Sequence, residues 1–259
     1  VLSTGERFAD YVVDAALGRG GYAAVYRAHD ASERVVALKV LDEAHRHPAA
    51  LARLRREIEF ARQLHHPNIV TVYDSGPGWL AMELLDGGTV LAVPTLDGRL
   101  TALAQIADAL DYTHQHGIVH CDVKPSNILV SQDFSRAVLI DFGVAYAVAE
   151  RSLPQRVEAS LPYSAPEMLR GHFPTAATDE YALACTAVEL VTGAPPFRVD
   201  SSLKLTYAQL YDQPPRFSES LSWLPRAFDS KIAKAMAKDP EVRYPTCTEF
   251  VAALTRVLR

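Results

Sequence analysis

Cysteine is scarce. The 259 residues contain three, Cys121, Cys185 and Cys247, far apart and without the spacing of a metal-ligand motif. That pattern excludes a disulfide framework and reads as reduced thiols in a cytosolic protein. Long apolar runs are missing as well: no stretch of ~18 uninterrupted apolar residues occurs, so no bilayer-spanning helix is expected. The most apolar segment, Tyr181 to Val191, is short and carries Glu189, and no signal peptide opens the chain. Positive charge is not in excess. With 26 Lys and Arg against 31 Asp and Glu the net charge is −5, which argues against nucleic acid as the main partner, because phosphate binding needs a basic surface. Internal repeats and low-complexity linkers are absent too. What is present is apolar material, 49% of residues, enough for a sizeable core in one large domain or two closely packed lobes.

The pattern changes along the chain. The first third reads as strands broken by one helix. Tyr11 to Leu17 and Tyr22 to Ala28 flank the turn Gly18-Arg19-Gly20-Gly21, Val35 to Leu41 follows, and Ile69 to Tyr73 and Trp79 to Leu84 read as a hairpin around Ser75-Gly76-Pro77-Gly78. Between them, apolar residues at 51, 54, 58, 61 and 64 give Ala49 to Leu64 a helical stripe. From Arg99 onward helices dominate: Leu100 to His116, Ala176 to Thr192, Ser202 to Tyr211, Ala227 to Lys238 and Cys247 to Leu258. The boundary between the two regions falls near Leu85 to Gly88.

Two charges stand in awkward places. Lys39 shares a strand face with Ala37 and Leu41, and Glu57 lies on the stripe of Leu54, Ala61 and Leu64. An unpaired buried charge costs several kcal/mol, so the two either pair or reach solvent separately. The glycine turn at 18–21 suits phosphate oxygens, which its N–H groups can approach, but a tight turn also asks for glycine. Strand rather than helix follows it, which excludes a dinucleotide fingerprint, and no Gly-Lys-Ser/Thr marks a Walker loop. His120-Cys121-Asp122-Val123-Lys124-Pro125-Ser126-Asn127 precedes the apolar run Ile128 to Val130, and Asp141-Phe142-Gly143 follows Val138 to Ile140. Asn127 and Asp141 supply hard oxygens of the kind that hold Mg²⁺ against substrate phosphates. Ala165-Pro166-Glu167 reads, taken alone, as a helix start. The order of glycine loop, strand lysine, helix glutamate, Asp-x-Lys-x-x-Asn, Asp-Phe-Gly and Ala-Pro-Glu is far more specific than any member.

In that order the chain resembles a protein kinase, of the kind found as eukaryotic-like Ser/Thr kinases in bacteria, from Tyr11 to Leu258. The resemblance implies an α+β, bilobal protein-kinase fold occupying 1–259. A small antiparallel β-sheet lobe with one helix would span about 8–84, a hinge about 83–88 and a larger, mainly helical lobe about 89–259. It implies Mg-ATP as cofactor, with Mn²⁺ a possible substitute, and proteins with Ser/Thr acceptors as substrates. Leu17, Gly18, Arg19, Gly20, Gly21 and Val25 would cover the nucleotide. Met82 would be the gatekeeper, and Glu83 and Leu85 the hinge meeting adenine, with Leu17, Val25, Ala37 and Leu129 sandwiching the ring. Lys39 would hold the α- and β-phosphates and pair with Glu57. Asp122 would accept the substrate hydroxyl proton, Lys124 would neutralise the transferred group, and Asn127 and Asp141 would hold Mg²⁺. Asp179 would brace the catalytic loop and Arg243 would pair with Glu167.

The departures from the family pattern are informative. Ala23 stands at the third glycine position, and Cys121 stands where an arginine usually follows the histidine. That arginine normally receives an activation-loop phosphate, and the segment from Asp141 to Glu167 has no threonine, its hydroxyls being Tyr146, Ser152, Ser160, Tyr163 and Ser164. Activity independent of loop phosphorylation is the expectation. Cys121 reads as a packing residue and Ser160 as the hydroxyl facing Asp122 and Lys124. Two rival readings stand beside the kinase: a pseudokinase scaffold, disfavoured because Lys39, Glu57, Asp122, Asn127 and Asp141 are all present, and a small-molecule phosphotransferase, disfavoured by Lys124-Pro125 and Ala-Pro-Glu. The resemblance also implies a cytoplasmic location, alone or as the cytosolic part of a longer membrane-anchored protein, with no membrane contact from this segment and back-to-back homodimers as one arrangement open to it.

Overall fold

Period-two alternation builds the first third of the molecule. The computed structural model describes residues 2–20, 22–43, 46–149 and 160–259. Strands β1 (Arg7–Phe8), β2 (Tyr11–Arg19), β3 (Ala23–His29), β4 (Val35–Leu41), β5 (Val72–Gly76) and β6 (Trp79–Met82) form one antiparallel sheet in the order β1-β2-β3-β4-β6-β5. Tyr26, Leu38 and Ala81 point to one face with Tyr11 and Val13. Val25, Ala37, Leu80 and Met82 point to the other, against Leu54 and Ala61 of helix α1 (Pro48–Gln63). Neighbouring residues of one strand thus supply opposite faces, as the pleat requires. Beyond Val13, β2 leaves the packed part of the sheet, and Ala15 to Arg19 are exposed. Helix α1 starts where His47 accepts the Ala50 N–H and Pro48 occupies the first turn.

The hairpin differs from its sequence reading. The strand starts at Val72 rather than Ile69, and the turn shrinks to Pro77-Gly78, because Ser75 and Gly76 pair with Leu80 and Trp79. Gly76 is needed for packing: a Cβ there would lie 2.3 Å from the Trp79 indole nitrogen. Ile69 instead bridges Leu139, with Val70 N–H donating to the Leu139 carbonyl and Leu139 N–H to that of Asn68. This ties the sheet region to the helical one. Gly87 and Gly88 form a second tie. Gly87 N–H donates to the Val130 carbonyl and Val130 N–H to that of Gly88; a Cβ on Gly87 would sit 2.2 Å from the Ser131 carbonyl oxygen, and Gly88 has φ +83°.

The remainder is α2 (Leu96–Gln115), β7 (Ile118–Val119), β8 (Ile128–Val130), β9 (Ala137–Leu139), β10 (Tyr146–Ala147), α3 (Pro166–Leu169), α4 (Ala176–Thr192), α5 (Ser202–Tyr211), α6 (Phe217–Ser220), α7 (Arg226–Ala235) and α8 (Cys247–Leu258). Helix α2 begins four residues before the sequence-based start, because Thr95 caps it by accepting the Gly98 N–H. Helix α7 ends at Ala235, so Lys238 lies beyond it. Helix α4 is mostly apolar beyond its first turn and buried over most of its length, which makes it the axis of this region. Thr175 and Thr178 close a reciprocal cap at its start, and Gly193 ends it in the left-handed conformation. Pairs β7–β10 and β8–β9 are short antiparallel ladders that frame the segment carrying Asp122 and Asp141. No helix of the described residues is long and apolar enough to cross a membrane.

Candidate active site

The loop between β7 and β8 is held by a buried carboxylate. Asp179, fully buried near the start of α4, accepts the N–H groups of His120 at 2.7 Å and Cys121 at 2.8 Å, and its Oδ2 also meets His114 Nε2 at 2.8 Å. These bonds hold Cys121 at φ 66°, a left-handed conformation that costs a non-glycine residue about 1 kcal/mol or more. Cys121 is half-buried, and desolvation together with Asp179 holds its thiol well above its ordinary pKa, so it packs as a neutral thiol. His120 is buried in the turn. Its Nδ1 accepts the Asp122 N–H at 3.3 Å, so Nε2 carries the proton and donates to the Ile140 carbonyl at 3.0 Å. Its ring also stands edge-on to Phe142 with centroids 4.8 Å apart. One imidazole thereby fixes both segments.

On this base sits a compact polar cluster. Lys124 Nζ donates to Asp122 Oδ2 at 2.8 Å and to Ser160 Oγ at 2.7 Å. Ser160 Oγ in turn lies 3.3 Å from Asp122 Oδ1. Asn127 Nδ2 donates to the Asp122 carbonyl at 2.9 Å and to its Oδ2 at 3.0 Å. The carboxamide nitrogen is therefore spent, and its oxygen is left as a hard ligand. Asp122 is 8% exposed, so a little of it still reaches the surface. The Asn127 carbonyl accepts the Ile140 N–H at 3.0 Å, which sets the Asn127 segment beside Asp141.

A second centre joins the sheet to this cluster. Lys39 Nζ lies 2.7 Å from both Glu57 oxygens and 3.9 Å from Asp141 Oδ2. Burial works against the Lys39 ammonium, but Asp141 and Glu57 outweigh it and hold its pKa above the ordinary lysine value. Burial opposes charge on Asp141 as well. Lys39, Arg53 and the Gly143 N–H nonetheless hold that carboxyl well below the usual range, so it is ionised at neutral pH. Asp141 has φ 63°, which turns its carboxylate toward these cations.

Other candidate residues are placed unevenly. Val25, Ala37, Met82 and Leu85 belong to one apolar cluster under the sheet, whereas Leu17 is half exposed at the open end of β2. Leu129 of β8 is half-buried, pairs with Val138 of β9 and bridges Thr89. Glu83 turns its carboxylate away, accepting from Arg136 at 2.7 Å and from the Thr71 N–H at 2.9 Å. Arg19 forms an ion pair with Asp42 at 2.8 Å. Gly18 and Gly20 have no positive φ, and a Cβ at Gly18 would meet nothing within 4 Å and at Gly20 only the Ala23 carbonyl oxygen at 3.7 Å. Neither packing nor a left-handed turn demands glycine at these two positions. Gly21 and Ser152 lie outside the described residues. Tyr163 is committed to Glu189 through its hydroxyl, and Ser164 to the Ser160 carbonyl.

Arg53, Arg56, His114 and Arg136 are missing from the sequence reading. Arg53, one turn before Glu57 on α1, crosses Gly143 and reaches Asp141 Oδ2 at 3.3 Å. A Cβ on Gly143 would lie 2.6 Å from the Arg53 Cγ. Arg56 donates to the Ala145 carbonyl at 3.0 Å. The i, i+4 relation to Glu57 is a signal that the sequence does offer for Arg53.

Further out, Arg243 binds both Glu167 oxygens at 2.8 and 2.9 Å, and Thr178 adds a bond to Glu167 at 3.0 Å. Chemically, the assembly offers a carboxylate paired to a lysine, a carboxamide oxygen beside a second carboxylate, and a strand–helix ion pair whose lysine also faces that second carboxylate.

Comparisons with known proteins agree with this geometry. A family model described as "Protein kinase domain" matches residues 11–254. Among curated relatives, the Mycobacterium tuberculosis serine/threonine-protein kinase PknJ is 38% identical over 275 residues, covering 99% of this chain and 47% of the relative. PknD of the same species is 39% identical over 269 residues, covering 98% and 40%. The chain thus spans about half the length, or less, of the curated relatives it matches. Among solved structures, the kinase domain of M. tuberculosis PknI superposes with a TM-score of 0.74 at 33% identity, covering 99% of both chains.

Proposed function

The chain belongs to the protein kinase family, and from that premise we propose that it transfers the γ-phosphoryl group of ATP to serine and threonine hydroxyls of proteins. The observation that carries this reading is the single hydrogen-bonded cluster of Asp122, Lys124, Asn127 and Ser160, adjoining Asp141 and the Lys39–Glu57 pair. Phosphoryl transfer demands little covalent chemistry of a protein and much positioning and charge stabilisation. Asp122 orients the acceptor hydroxyl and takes its proton. Lys124, shared between Asp122 and the Ser160 hydroxyl, stands where charge develops on the transferred group. Lys39, kept charged and oriented by Glu57, holds the inner phosphates. Gly18 and Gly20 let the backbone of the β2–β3 turn approach the phosphates, with Gly21 assigned the same part by the sequence. Val25, Ala37, Met82, Leu85 and Leu129 form the apolar seat for the base, with Leu17 as its exposed edge.

Asn127 and Asp141 fit a divalent cation: an unspent carboxamide oxygen and a carboxylate that stays ionised are the hard oxygens that Mg²⁺ or Mn²⁺ takes. When bound, such an ion neutralises phosphate charge.

We further propose that transfer does not depend on activation-loop phosphorylation. Cys121 offers no cation for a loop phosphate, while Arg56 reaches the start of the segment from α1 and donates to the Ala145 carbonyl. That contact anchors the segment to the helix without a phosphate.

The test is phosphate transfer from radiolabelled ATP to a generic acceptor protein, followed by phosphoamino-acid analysis. Label on serine or threonine is expected, with a loss of at least ~10³-fold in Asp122→Asn. Transfer unaffected by that change, or label confined to small metabolites, overturns the reading. Phosphatase treatment of the active protein should leave its rate within about threefold; a loss of tenfold or more would show that a loop phosphate is required.

A further inference from the structure

The helical region carries a second group of chemistry-bearing side chains that phosphoryl transfer does not use. Asp111 and His114 stand one turn apart near the end of α2, on one helix face. The fold brings Cys247, the first residue of α8, against them, so that one ligand atom from each lies within 4.8 Å of the others. Asp111 and His114 are already oriented by hydrogen bonds, and the Cys247 thiol meets the Asp111 carboxylate. Asp111 accepts the N–H groups of Cys247 and Thr248, both at 2.9 Å, and its oxygens retain lone pairs. His114 spends Nε2 on Asp179, which leaves Nδ1 as the nitrogen available to a cation. A histidine whose far nitrogen is held by a carboxylate is the usual form of a metal-bound imidazole.

Further acidic side chains surround the cluster. The Cys247 thiol is 1% exposed, and burial together with Asp111, Asp179 and Glu180 holds it far above its ordinary pKa. Glu180 is also 1% exposed. Its Oε1 accepts the Tyr244 N–H at 2.9 Å, while Oε2 is, among the described residues, the one buried side-chain oxygen or nitrogen without a hydrogen-bond partner. Arg243 and Lys234 are the cations whose charge reaches it. Alongside lies a cavity of about 380 Å³ whose wall includes His114, Glu180, Arg243, Thr246 and Cys247. It gives an ion a way in and leaves room for a water as a further ligand.

We propose that Asp111, His114 and Cys247 bind a divalent cation of the zinc class, which fastens α2 to α8 behind the loop that carries Asp122. A carboxylate oxygen, an imidazole nitrogen and a thiolate sulfur form a mixed set that suits zinc and not magnesium or calcium. Tetrahedral zinc holds sulfur and nitrogen about 3.5 Å apart, so atoms that lie within 4.8 Å close by up to about 1.3 Å on binding. On binding, the Cys247 S–H bond breaks, its proton passes to solvent, and the sulfur lone pair forms the metal–sulfur bond; no electron is gained or lost. Through His114 and Asp179 the bound ion stiffens the brace on the His120 and Cys121 N–H groups. The inference rests on side chains outside the transfer cluster and stands independently of the proposed reaction.

Cobalt(II) titrated into chelator-treated, dialysed protein tests it. Binding of one equivalent should produce the visible bands of tetrahedral cobalt and a near-ultraviolet thiolate-to-cobalt band, both removed by one equivalent of zinc. Cys247→Ala should abolish the thiolate band, and Asp111→Asn should weaken cobalt binding by about tenfold or more. The titration of the unaltered protein decides the matter even if a variant fails to fold. A missing thiolate band there overturns the proposal, as does a band that persists in Cys247→Ala or disappears in Cys185→Ala.

Discussion

The sheet region and the helical region each contain a buried acid–base pair, and the two are built differently. In the helical region Arg243 is closed in: its guanidinium donates four hydrogen bonds, to both Glu167 oxygens and to the carbonyls of Ala177 and Ala237, and its side chain has no exposed surface. Three chain segments meet on one planar cation, which suits the rigid fork of arginine. In the sheet region the lysine of the Lys39–Glu57 pair is 18% exposed, has Asp141 as a further anion at 3.9 Å, and connects only a strand to a helix. A brace cannot exchange partners without unfolding its surroundings. A lysine between two carboxylates can shift when phosphates arrive. The same opposite-charge chemistry thus yields a fixed element in one region and an adjustable one in the other.

Removing one partner of the fixed pair is the strongest way to break this contrast. Arg243→Met leaves Glu167 buried without its cation and should cost about 3–5 kcal/mol of stability, read as a lower urea midpoint. The equivalent Lys39→Met should cost clearly less stability while abolishing transfer. Equal destabilisation by the two changes would mean that the pairs do not differ in kind.

Glu180 sharpens the comparison, because it is the carboxyl beside Arg243 that the brace leaves incompletely satisfied. Burial pushes its pKa up to about 8 against the pull of the Tyr244 N–H and Arg243. A carboxyl whose folded pKa is raised binds protons preferentially in the folded state, so its contribution is fully present at low pH and is lost as pH rises from about 4.5 through 8. Glu180→Gln should flatten the fall in Tm over that window, a difference of up to roughly 3 kcal/mol near neutral pH, measured with chelator present. An unchanged slope would show that Glu180 ionises normally. In the adjustable pair, Glu57→Gln keeps a hydrogen bond to Lys39 but removes the charge. A drop of about 10- to 100-fold in kcat/KM is expected, with little change in Tm.

How far the sequence discloses these features depends on what each rests upon. Glu57 and Lys39 are legible because a charge on an apolar stripe or strand face is locally anomalous. Asp122, Lys124 and Asn127 are legible because their spacing within one loop is itself the signal. Arg243 and Asp179 are reached only through family resemblance, since their partners lie 76 residues away at Glu167 and 58 and 59 residues away at Cys121 and His120. Gly76 is misread as turn chemistry when its lack of a side chain serves the Trp79 indole, which local sequence does not reveal. The grouping of Asp111 and His114 with Cys247 is invisible for the same reason: no spacing rule spans the 136 residues between Asp111 and Cys247. Local anomalies and short motifs survive in a sequence, while convergence of distant segments has to be built.

The smallest expected effect concerns the partner that makes the sheet-region pair adjustable. Arg53 crosses the bare backbone of Gly143 to reach Asp141 at 3.3 Å, and its side chain is 38% exposed. At that exposure solvent screens the contact, and an ion pair of this kind contributes roughly 0.2–1 kcal/mol. The cation it opposes is the divalent ion assigned to Asp141, so removing the guanidinium should favour that ion by the same amount. Arg53→Gln should then lower the Mg²⁺ concentration for half-maximal transfer by about 1.5- to 5-fold, with kcat changed by less than about twofold. A need for more Mg²⁺ in the variant would mean the reverse: Arg53 would be holding Asp141 in its left-handed turn for the ion, and α1 would act as a support for the metal carboxylate and not as its competitor.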